Sequence, residues 1–483
     1  MQAQISRITD ILRRDDGISG AMHYTEQISW ILFLKFLDEY EQAQKLEATL
    51  AGTSYTPLLD HAHQRHTRAT PLWSDGKIDM LTSMVGDDLK EFVNLDLFPY
   101  LKAFRDPTAN YHSMKYKIGE IFYFMDNKIE SGNTLRETIN IIDSLSFQSQ
   151  SDLFELSKIY EDLLQGMGND GGNSGEFYTP RPVIKAMVDC LDPKIGESIY
   201  DGATGSCGFL IEAHNHLKPL AKTSDDLHRL NHDALRGNEK TPIAYILWVM
   251  NMILHGIENP NINKKNTLTD NIRDFEEKDR YNIIIANPPF GGKEKDQIQS
   301  NFLIKTNATE MLFMQHFMKK LKTGWRAAII VPEWVLFSTS NSFQQVKKML
   351  LEDFNLHSII SLPAGIFLPY SGVKTNIIFF DKTTSTKQIR YYEVDPGRKL
   401  TKNKPITADD MVDMVACFAD KSLGKQSWTV NIDDITDFDI SAKNPANIKE
   451  IIHRSPAQIL QDIESNDVHI AQIRTTLQQI ITQ

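Results

Sequence analysis

The sequence predicts an α/β fold in which helices cover a mostly parallel sheet, with a helical region before it and a long helix after it. Between about residues 175 and 392, short apolar or β-branched runs alternate with helical patterns, as in parallel strands joined by helices. The first 150 residues repeat apolar side chains at helical intervals and contain few strand patterns. Residues after 455 repeat them at a heptad-like spacing.

The composition is that of a globular protein with more than one core. The chain has 483 residues, of which 41% are hydrophobic and 24% charged, and at about 150 residues per domain this length suggests three units. We expect a helical N-terminal domain at 1–150, the α/β domain at 151–400 and a C-terminal tail at 401–483.

The charge and cysteine content limit the classes of function. Lys and Arg total 52 against 63 Asp and Glu, a net charge of −11. This balance argues against a protein that binds nucleic acid by itself through a broad basic surface. It does not argue against a protein that binds nucleic acid together with a partner. The three cysteines form neither a disulfide framework nor a metal-type spacing, so we expect no metal and a cytoplasmic location.

Neither a signal peptide nor a membrane span is expected. Residues 1–14 are polar and amphipathic, without the apolar centre of a signal peptide. The most apolar early run, residues 28–37, contains Ser29 and Lys35 and is too short to span a bilayer.

The predicted strands and helices alternate along the middle of the chain. The strands are 198–200, 281–286, 327–331, 357–362 and 375–380, and the helices between them are 183–191, 241–255, 310–321 and 342–352. The near-continuous apolar run at 282–286 fits a strand that is buried on both faces.

A glycine-rich turn between the first strand and the next helix is the first candidate site. It reads Asp201, Gly202, Ala203, Thr204, Gly205, Ser206, Cys207 and Gly208. Such a turn lets backbone N–H groups approach a ligand closely. Asp201 at the strand end would repel a pyrophosphate, so a cationic ligand suits the turn better. S-adenosylmethionine, with its amino group and sulfonium, meets that description.

The second candidate site follows the strand 281–286 and reads Asn287, Pro288, Pro289 and Phe290. Proline fixes its own φ and pushes its predecessor into an extended conformation, so the first two residues are restrained. The side-chain oxygen of Asn287 and the carbonyl of Pro288 can therefore converge on one exocyclic amino group. Accepting both of its protons favours attack of the nitrogen on a methyl group, and Phe290 can stack on the ring that bears the amine.

A third segment precedes the first strand and opens a helix. It consists of Glu176, Phe177, Tyr178, Thr179, Pro180 and Arg181. Alone, this segment is weak support for a site, because aromatic residues at a helix start are often there for packing.

Taken in this order, the three motifs resemble those of the amino-methyltransferases that act on DNA. With the helical N-terminal region and the heptad-like tail, the chain resembles the modification subunit of type I restriction–modification systems, HsdM. The resemblance covers about residues 1–400 and implies a Rossmann-like S-adenosylmethionine-dependent methyltransferase core.

The resemblance also implies roles for individual residues. It assigns binding of S-adenosylmethionine to the segment 176–181 and to the turn, in which Asp201, Gly202, Thr204, Gly205, Ser206, Cys207 and Gly208 are the matching residues. Glu239 matches the acid that holds the ribose hydroxyls. Asn287, Pro288, Pro289 and Phe290 match the catalytic motif.

Some positions depart from the family pattern or have rivals. The family usually has a glycine where this chain has Cys207, so the turn must accept a side chain. Asp225 and Asp226 lie closer to Asp201 in sequence than Glu239 does, but no strand precedes them. The residue that contacts the cofactor adenine stays unassigned, and its candidates are Asn266, Asp270 and Asp274.

The implied activity is N6-methylation of a flipped adenine in double-stranded DNA, which protects host DNA from cleavage. The same two acceptors would serve N4 of cytosine, and the family resemblance favours adenine. The alternatives are a protein glutamine N5-methyltransferase, whose motif is similar, and a catalytically silent scaffold subunit. The intact Asn287 and Asp201 argue against a scaffold.

The C-terminal helix carries an apolar seam with one polar position. Its members are Ile459, Ile463, Asn466, Ile470, Ile473, Leu477 and Ile480, at alternating spacings of four and three. The seam can pack on its own chain, form a homodimer or bind another subunit. The resemblance implies a complex in which two modification subunits flank one specificity subunit that reads the DNA target, and which a motor-nuclease subunit joins.

Overall fold

The computed structural model of the chain describes residues 2–59, 86–106, 108, 113–145, 179–257, 259–368, 371–447 and 456–481. The chain divides into two compact units, Met1–Ala442 and Lys443–Gln483. The division into functional domains at residues 150 and 400 stays a prediction.

The first unit begins with helices, as the sequence predicted. They are α1 (Gln2–Leu12), α2 (Ala21–Ala51), α3 (Asp87–Glu91), α4 (Phe98–Lys102), α5 (Met114–Tyr123) and α6 (Gly132–Asp143). Their core contains Trp30 of α2, which meets Phe98 edge to face with the ring centroids 5.2 Å apart. Helix α5 contacts the α/β part of the unit, where Lys117 Nζ lies 3.2 Å from the Tyr245 hydroxyl.

Nine strands among the described residues form one sheet in the order β3-β2-β1-β4-β5-β7-β6-β8-β9. The strands are β1 (Ile199–Asp201), β2 (Leu235–Glu239), β3 (Asn261–Lys264), β4 (Tyr281–Ala286), β5 (Leu321–Pro332), β6 (Asn355–Ser361), β7 (Thr375–Asp381), β8 (Gln388–Glu393) and β9 (Ser427–Asn431). In the part of the sheet from β3 to β5, every pair of adjacent strands is parallel.

Helices connect most of the strands. They are α7 (Arg181–Leu191), α8 (Gly208–Leu217), α9 (Ser224–Arg229), α10 (Pro242–Leu254), α11 (Asp296–Gln299), α12 (Thr309–Lys320), α13 (Glu333–Phe337), α14 (Asn341–Asp353) and α15 (Asp409–Asp420). No helix in the described ranges has both the length and the apolar content that crossing a membrane requires.

The apolar core lies on both faces of the sheet. Ile283 and Ile285 of β4 belong to a core that also contains the N-terminal helices, whereas Ile284 and Ala286 belong to a second core under α12 and α14. Successive side chains of a strand point to opposite faces. Burial of both faces therefore explains why the strand reads as an unbroken apolar run.

Most strand pairs are parallel, as the sequence predicted, but some are not. Strand β7 runs antiparallel to both β5 and β6, so the sheet is mixed. The connection from β6 to β7 contains Pro363, Gly365 and Gly372, a composition that disfavours the helix a parallel crossover needs. The sequence analysis named no strand or helix between residues 402 and 455, whereas the structure has α15 and β9 there, and β9 pairs with β8 and extends the sheet.

The second unit is dominated by one helix, α16 (Pro456–Ile481). Ile459, Ile463, Ile470, Ile473 and Leu477 of the predicted seam are each about half exposed. Within the described residues of this unit, 443–447 and 456–481, the stripe is left exposed.

Candidate functional site

The described residues of the three motifs meet at the carboxyl edge of the sheet, where the strand order changes direction. Strand β1 lies between β2 and β4, and both neighbours run parallel to it. Asp201 ends β1, and Asn287 follows β4 immediately. In open α/β sheets, ligands bind outside the carboxyl ends of the strands at such a switch point.

The turn after β1 has a backbone suited to a close ligand. Gly205 has φ 43° and Cys207 φ 54°, and both values lie in the left-handed region. Cys207 is fully buried and precedes the first residue of α8. The turn thus accepts a side chain at the position where the family usually has glycine, at the cost of a backbone conformation that glycine adopts more easily.

Strand β2 passes very close to this turn. The backbone N–H and the hydroxyl of Thr204 both donate to the carbonyl of Asn238, at 3.2 and 3.1 Å. A Cβ on Gly237 would lie 2.2 Å from Thr204 Cγ2. The absence of a side chain at residue 237 therefore allows β2 to hold the turn in place.

A network of hydrogen bonds connects the turn to Thr267, Asn238, Tyr200 and His316. The Thr267 hydroxyl donates to the carbonyl of Gly202 at 2.6 Å, and Asn238 Nδ2 donates to Thr267 Oγ1 at 3.1 Å. Asn238 Nδ2 also lies 2.8 Å from the Tyr200 hydroxyl, and the Tyr200 hydroxyl lies 3.1 Å from His316 Nε2. Tyr200, Asn238, Thr267 and His316 were not predicted as site residues, because none of them belongs to one of the three motifs.

Asp201 is a buried carboxyl with one free acceptor. Its Oδ1 accepts from the N–H of Ala203 at 2.9 Å, whereas its buried Oδ2 has no hydrogen-bond partner among the described residues. Burial raises the pKa of Asp201 to about 8. The hydrogen bond from the N–H of Ala203 lowers this pKa, and the nearby charge of Glu239 raises it. The free oxygen is the type of acceptor that a cationic group would satisfy.

Glu239 ends β2 at the same edge. It is 5% exposed, and its Oε1 accepts from the N–H of Thr241 at 2.8 Å. Burial raises the pKa of Glu239, and hydrogen bonds from the Thr241 backbone and side chain lower it. Its rival Asp226 instead takes part in the capping box that begins α9.

The segment after β4 holds Asn287 with its side-chain oxygen free. Asn287 Nδ2 donates to Thr179 Oγ1 at 2.9 Å, and Asn287 Oδ1 is buried without a partner among the described residues. Pro288 is buried, and Phe290 meets Phe367 edge to face with the ring centroids 5.9 Å apart.

The backbone beyond Phe290 is held by a residue that no motif signals. The N–H of Gly291 donates to the carboxylate of Glu310, which is 5% exposed in the first turn of α12. This contact holds the segment at its far end, whereas Thr179 holds it at Asn287.

One small cavity joins the motifs. Its lining residues are Thr179, Ile184, Ala203, Thr204, Gly205, Ser206, Gly208, Phe209 and Asn287. Arg181 begins α7 and donates to the carbonyl of Gly208 at 3.4 Å, and Pro180 is the N-cap residue of that helix. A larger cavity at the amino end of β1, beside Gly196 and Arg229, contains none of the motif residues.

Other residues considered for the site are either outside the described residues or have local structural roles. Glu176, Phe177 and Tyr178 lie outside the described residues. Asn266 caps a short 3-10 helix through a bond from the N–H of Leu268, and Asp270 pairs with Lys265 at 2.7 Å. Within the described ranges, no group of three or more His, Cys, Asp or Glu residues is arranged to hold a metal ion.

Comparisons with known proteins agree over the whole chain. The family model N-6 DNA Methylase matches residues 149–453, and the model HsdM N-terminal domain matches residues 1–142. The chain is 35% identical to the type I restriction enzyme EcoEI methylase subunit of Escherichia coli, over 99% of this chain and 96% of that one.

Solved structures are similar as well. A modification subunit from Vibrio vulnificus YJ016 has a TM-score of 0.83 at 33% identity, covering 94% of this chain and 99% of its own. A chain solved in a study of complex assembly and conformational transition in the type I R-M system has a TM-score of 0.76 at 36% identity. That match covers 99% of this chain and 97% of the other.

Proposed function

The chain belongs to the N-6 DNA methylase family as a type I restriction–modification methylase subunit, and we propose that the site at β1 and β4 carries its methyl transfer. The subunit is a DNA adenine methyltransferase. The observation that supports the assignment of the site is the small cavity that Asn287 shares with Ala203, Thr204, Gly205, Ser206 and Gly208 of the turn. The comparisons give no support to a protein glutamine methyltransferase.

S-adenosylmethionine is the proposed methyl donor, and the residues at the turn fit it. The free Oδ2 of Asp201 suits a cationic group, and Gly205, whose backbone is left-handed, lines the cavity beside it. Glu239 offers a buried carboxylate for the ribose hydroxyls. Further proposed contacts come from Gly202, Thr204, Ser206, Cys207, Gly208 and the segment 176–181. When bound, the donor supplies a methyl carbon activated by its sulfonium.

Asn287 and Pro288 are the proposed acceptors for the N6 amino group of a flipped adenine. The buried, unpartnered Oδ1 of Asn287 would accept a hydrogen bond from one N–H of the amino group, and the carbonyl of Pro288 would accept one from the other. These two hydrogen bonds would raise the electron density on the nitrogen, which bonds to the methyl carbon as the carbon–sulfur bond of the donor breaks to give a neutral thioether. The methylated nitrogen then loses one proton to solvent. Pro289 restrains Pro288, and Phe290, backed by Phe367, stacks on the base.

The proposed partners are double-stranded DNA and other subunits. A chain of net charge −11 is a poor match for a polyanion. A specificity subunit would therefore supply most of the DNA contact and read the target, with two copies of this chain per specificity subunit and a motor-nuclease subunit in the full complex. We infer that α16 contributes to the contact with the specificity subunit, because its apolar stripe is exposed.

The remaining assignments concern organisation and location. We propose that residues 1–150 are the helical N-terminal domain, residues 151–400 the methyltransferase domain and residues 401–483 a C-terminal tail with a partner-binding helix. The cytoplasm is the proposed location, since the substrate is the DNA of the host and the described cysteines are free thiols.

Kinetics of Asn287→Ala in the complex with the specificity subunit test the proposal. Losing an acceptor that acts mainly in the transition state typically lowers the rate about 10²-fold or more. We expect methyl transfer to be lost while calorimetry shows nearly unchanged affinity for S-adenosylmethionine. Near-normal turnover in this variant would refute the catalytic assignment.

A further inference from the structure

Thr179 contacts the proposed catalytic amide directly. Its hydroxyl oxygen lies 2.9 Å from Asn287 Nδ2, although the two residues are 108 positions apart in the chain. Thr179 is 7% exposed, so little water competes for this contact. The other end of the amide, Asn287 Oδ1, is buried and has no partner among the described residues.

The orientation of this amide matters for the reaction. The last torsion of an asparagine side chain has a broad, roughly two-fold profile, so the restraint on the backbone of Asn287 and Pro288 does not decide which end faces the substrate. An amide turned by 180° would present an NH₂ donor to the amino group of the base, which is itself a donor.

We propose that Thr179 is a positioning residue: its hydroxyl, which can accept or donate, holds one end of the Asn287 amide so that the other end faces the target amino group. This inference rests on the proposed function of Asn287. With the base bound, the observed orientation satisfies both ends of the amide, because Thr179 accepts from Nδ2 and the base donates to Oδ1. In the opposite orientation two donors meet, and in a buried site an unpaired donor is costly.

Thr179 is well placed for this role by the start of α7. Pro180 follows it and favours an extended conformation at Thr179. The carbonyl of Pro180 accepts from the N–H groups of Val183 and Ile184, which ties the segment to the helix. Ile184 is 1% exposed and lines the same cavity, so the anchor of Thr179 is rigidly packed.

Thr179 also belongs to the segment proposed to contact the cofactor, and for its hydroxyl the two roles predict different kinetics. If the Thr179 hydroxyl binds the cofactor, its removal weakens the affinity for S-adenosylmethionine. If the hydroxyl positions Asn287, its removal lowers kcat and leaves that affinity nearly unchanged, because only the orientation of the amide changes.

The test compares Thr179→Val with Thr179→Ser in the complex with the specificity subunit. Valine keeps the shape and removes the hydroxyl, whereas serine keeps the hydroxyl. We expect valine to lower kcat by about 10- to 100-fold with the Kd for S-adenosylmethionine within about threefold of wild type, and serine to restore most of kcat. If the valine variant does not fold, Thr179→Ala replaces it, since a smaller side chain cannot clash.

A double-mutant cycle separates this inference from the proposed function. In the background of Asn287→Ser, removing the Thr179 hydroxyl should have little further effect on kcat, because the amide that it orients is absent. A normal kcat for Thr179→Val, or a loss of cofactor affinity instead of kcat, would overturn the positioning role while Asn287→Ala remains inactive. Near-normal activity of Asn287→Ala would instead refute the proposed function itself.

Discussion

At the scale of single residues, Asp201 links cofactor binding to pH. Its pKa is raised to about 8 by burial, so at pH 7 the carboxyl is mostly protonated before the ligand binds. A cationic group at its free oxygen favours the carboxylate, and binding then releases a proton. The affinity for S-adenosylmethionine should therefore rise as the pH rises from about 6 toward about 8.

Calorimetry in buffers with different ionisation enthalpies measures this proton directly. The observed binding enthalpy should depend on the buffer for the wild type, and this dependence should disappear in Asp201→Asn. Normal binding without any buffer dependence would show that Asp201 does not face a cationic group.

Gly205 gives a second prediction at this scale. Its φ of 43° disfavours any side chain, and an aspartate adds charge beside Asp201. We expect Gly205→Asp to abolish binding of S-adenosylmethionine and Gly205→Ala, the control without charge, to weaken it less. A folded Gly205→Asp variant with unchanged affinity in calorimetry would move the cofactor site away from the turn.

At the scale of elements, the fit of β2 against the glycine turn depends on Gly237. A methyl group there would lie 2.2 Å from Thr204 Cγ2 and 2.9 Å from Ile262 Cδ1. Gly237→Ala should lower the free energy of unfolding by about 1–3 kcal/mol, as overpacking does, and should weaken cofactor binding. Gly372→Ala is the matched control, because a Cβ at residue 372 meets nothing within 4 Å. Equal denaturation midpoints for the two variants would contradict the tight packing of β2 on the turn.

The elements also show what the sequence can predict. The strand 281–286 and the helix before β1 were predicted to within two residues, because buried runs and helical periodicity are local signals. Strand β2 was not predicted, because Leu235–Glu239 contains only one strongly apolar residue. This segment is a strand because it pairs with β1 and β3. The contact of Thr179 with Asn287 joins residues 108 positions apart, and no local pattern reports it.

At the scale of the whole molecule, the acidic chain and its exposed C-terminal seam point to assembly. We expect deletion of residues 466–483 to leave cofactor binding largely intact and to weaken association with the specificity subunit, thereby reducing DNA methylation. Co-purification of tagged full-length and truncated chains with that subunit measures the effect. Equal recovery of the partner would place the contact elsewhere, with the N-terminal helices as the next candidate.

The central claim is that this chain methylates N6 of adenine in DNA through Asn287. The most direct measurement is mass spectrometry of nucleosides from DNA incubated with S-adenosylmethionine, the specificity subunit and either the wild type or Asn287→Ala. N6-methyladenine with the wild type and none with the variant is the predicted result. Methylated cytosine with the wild type, or equal N6-methyladenine with both proteins, would contradict the claim.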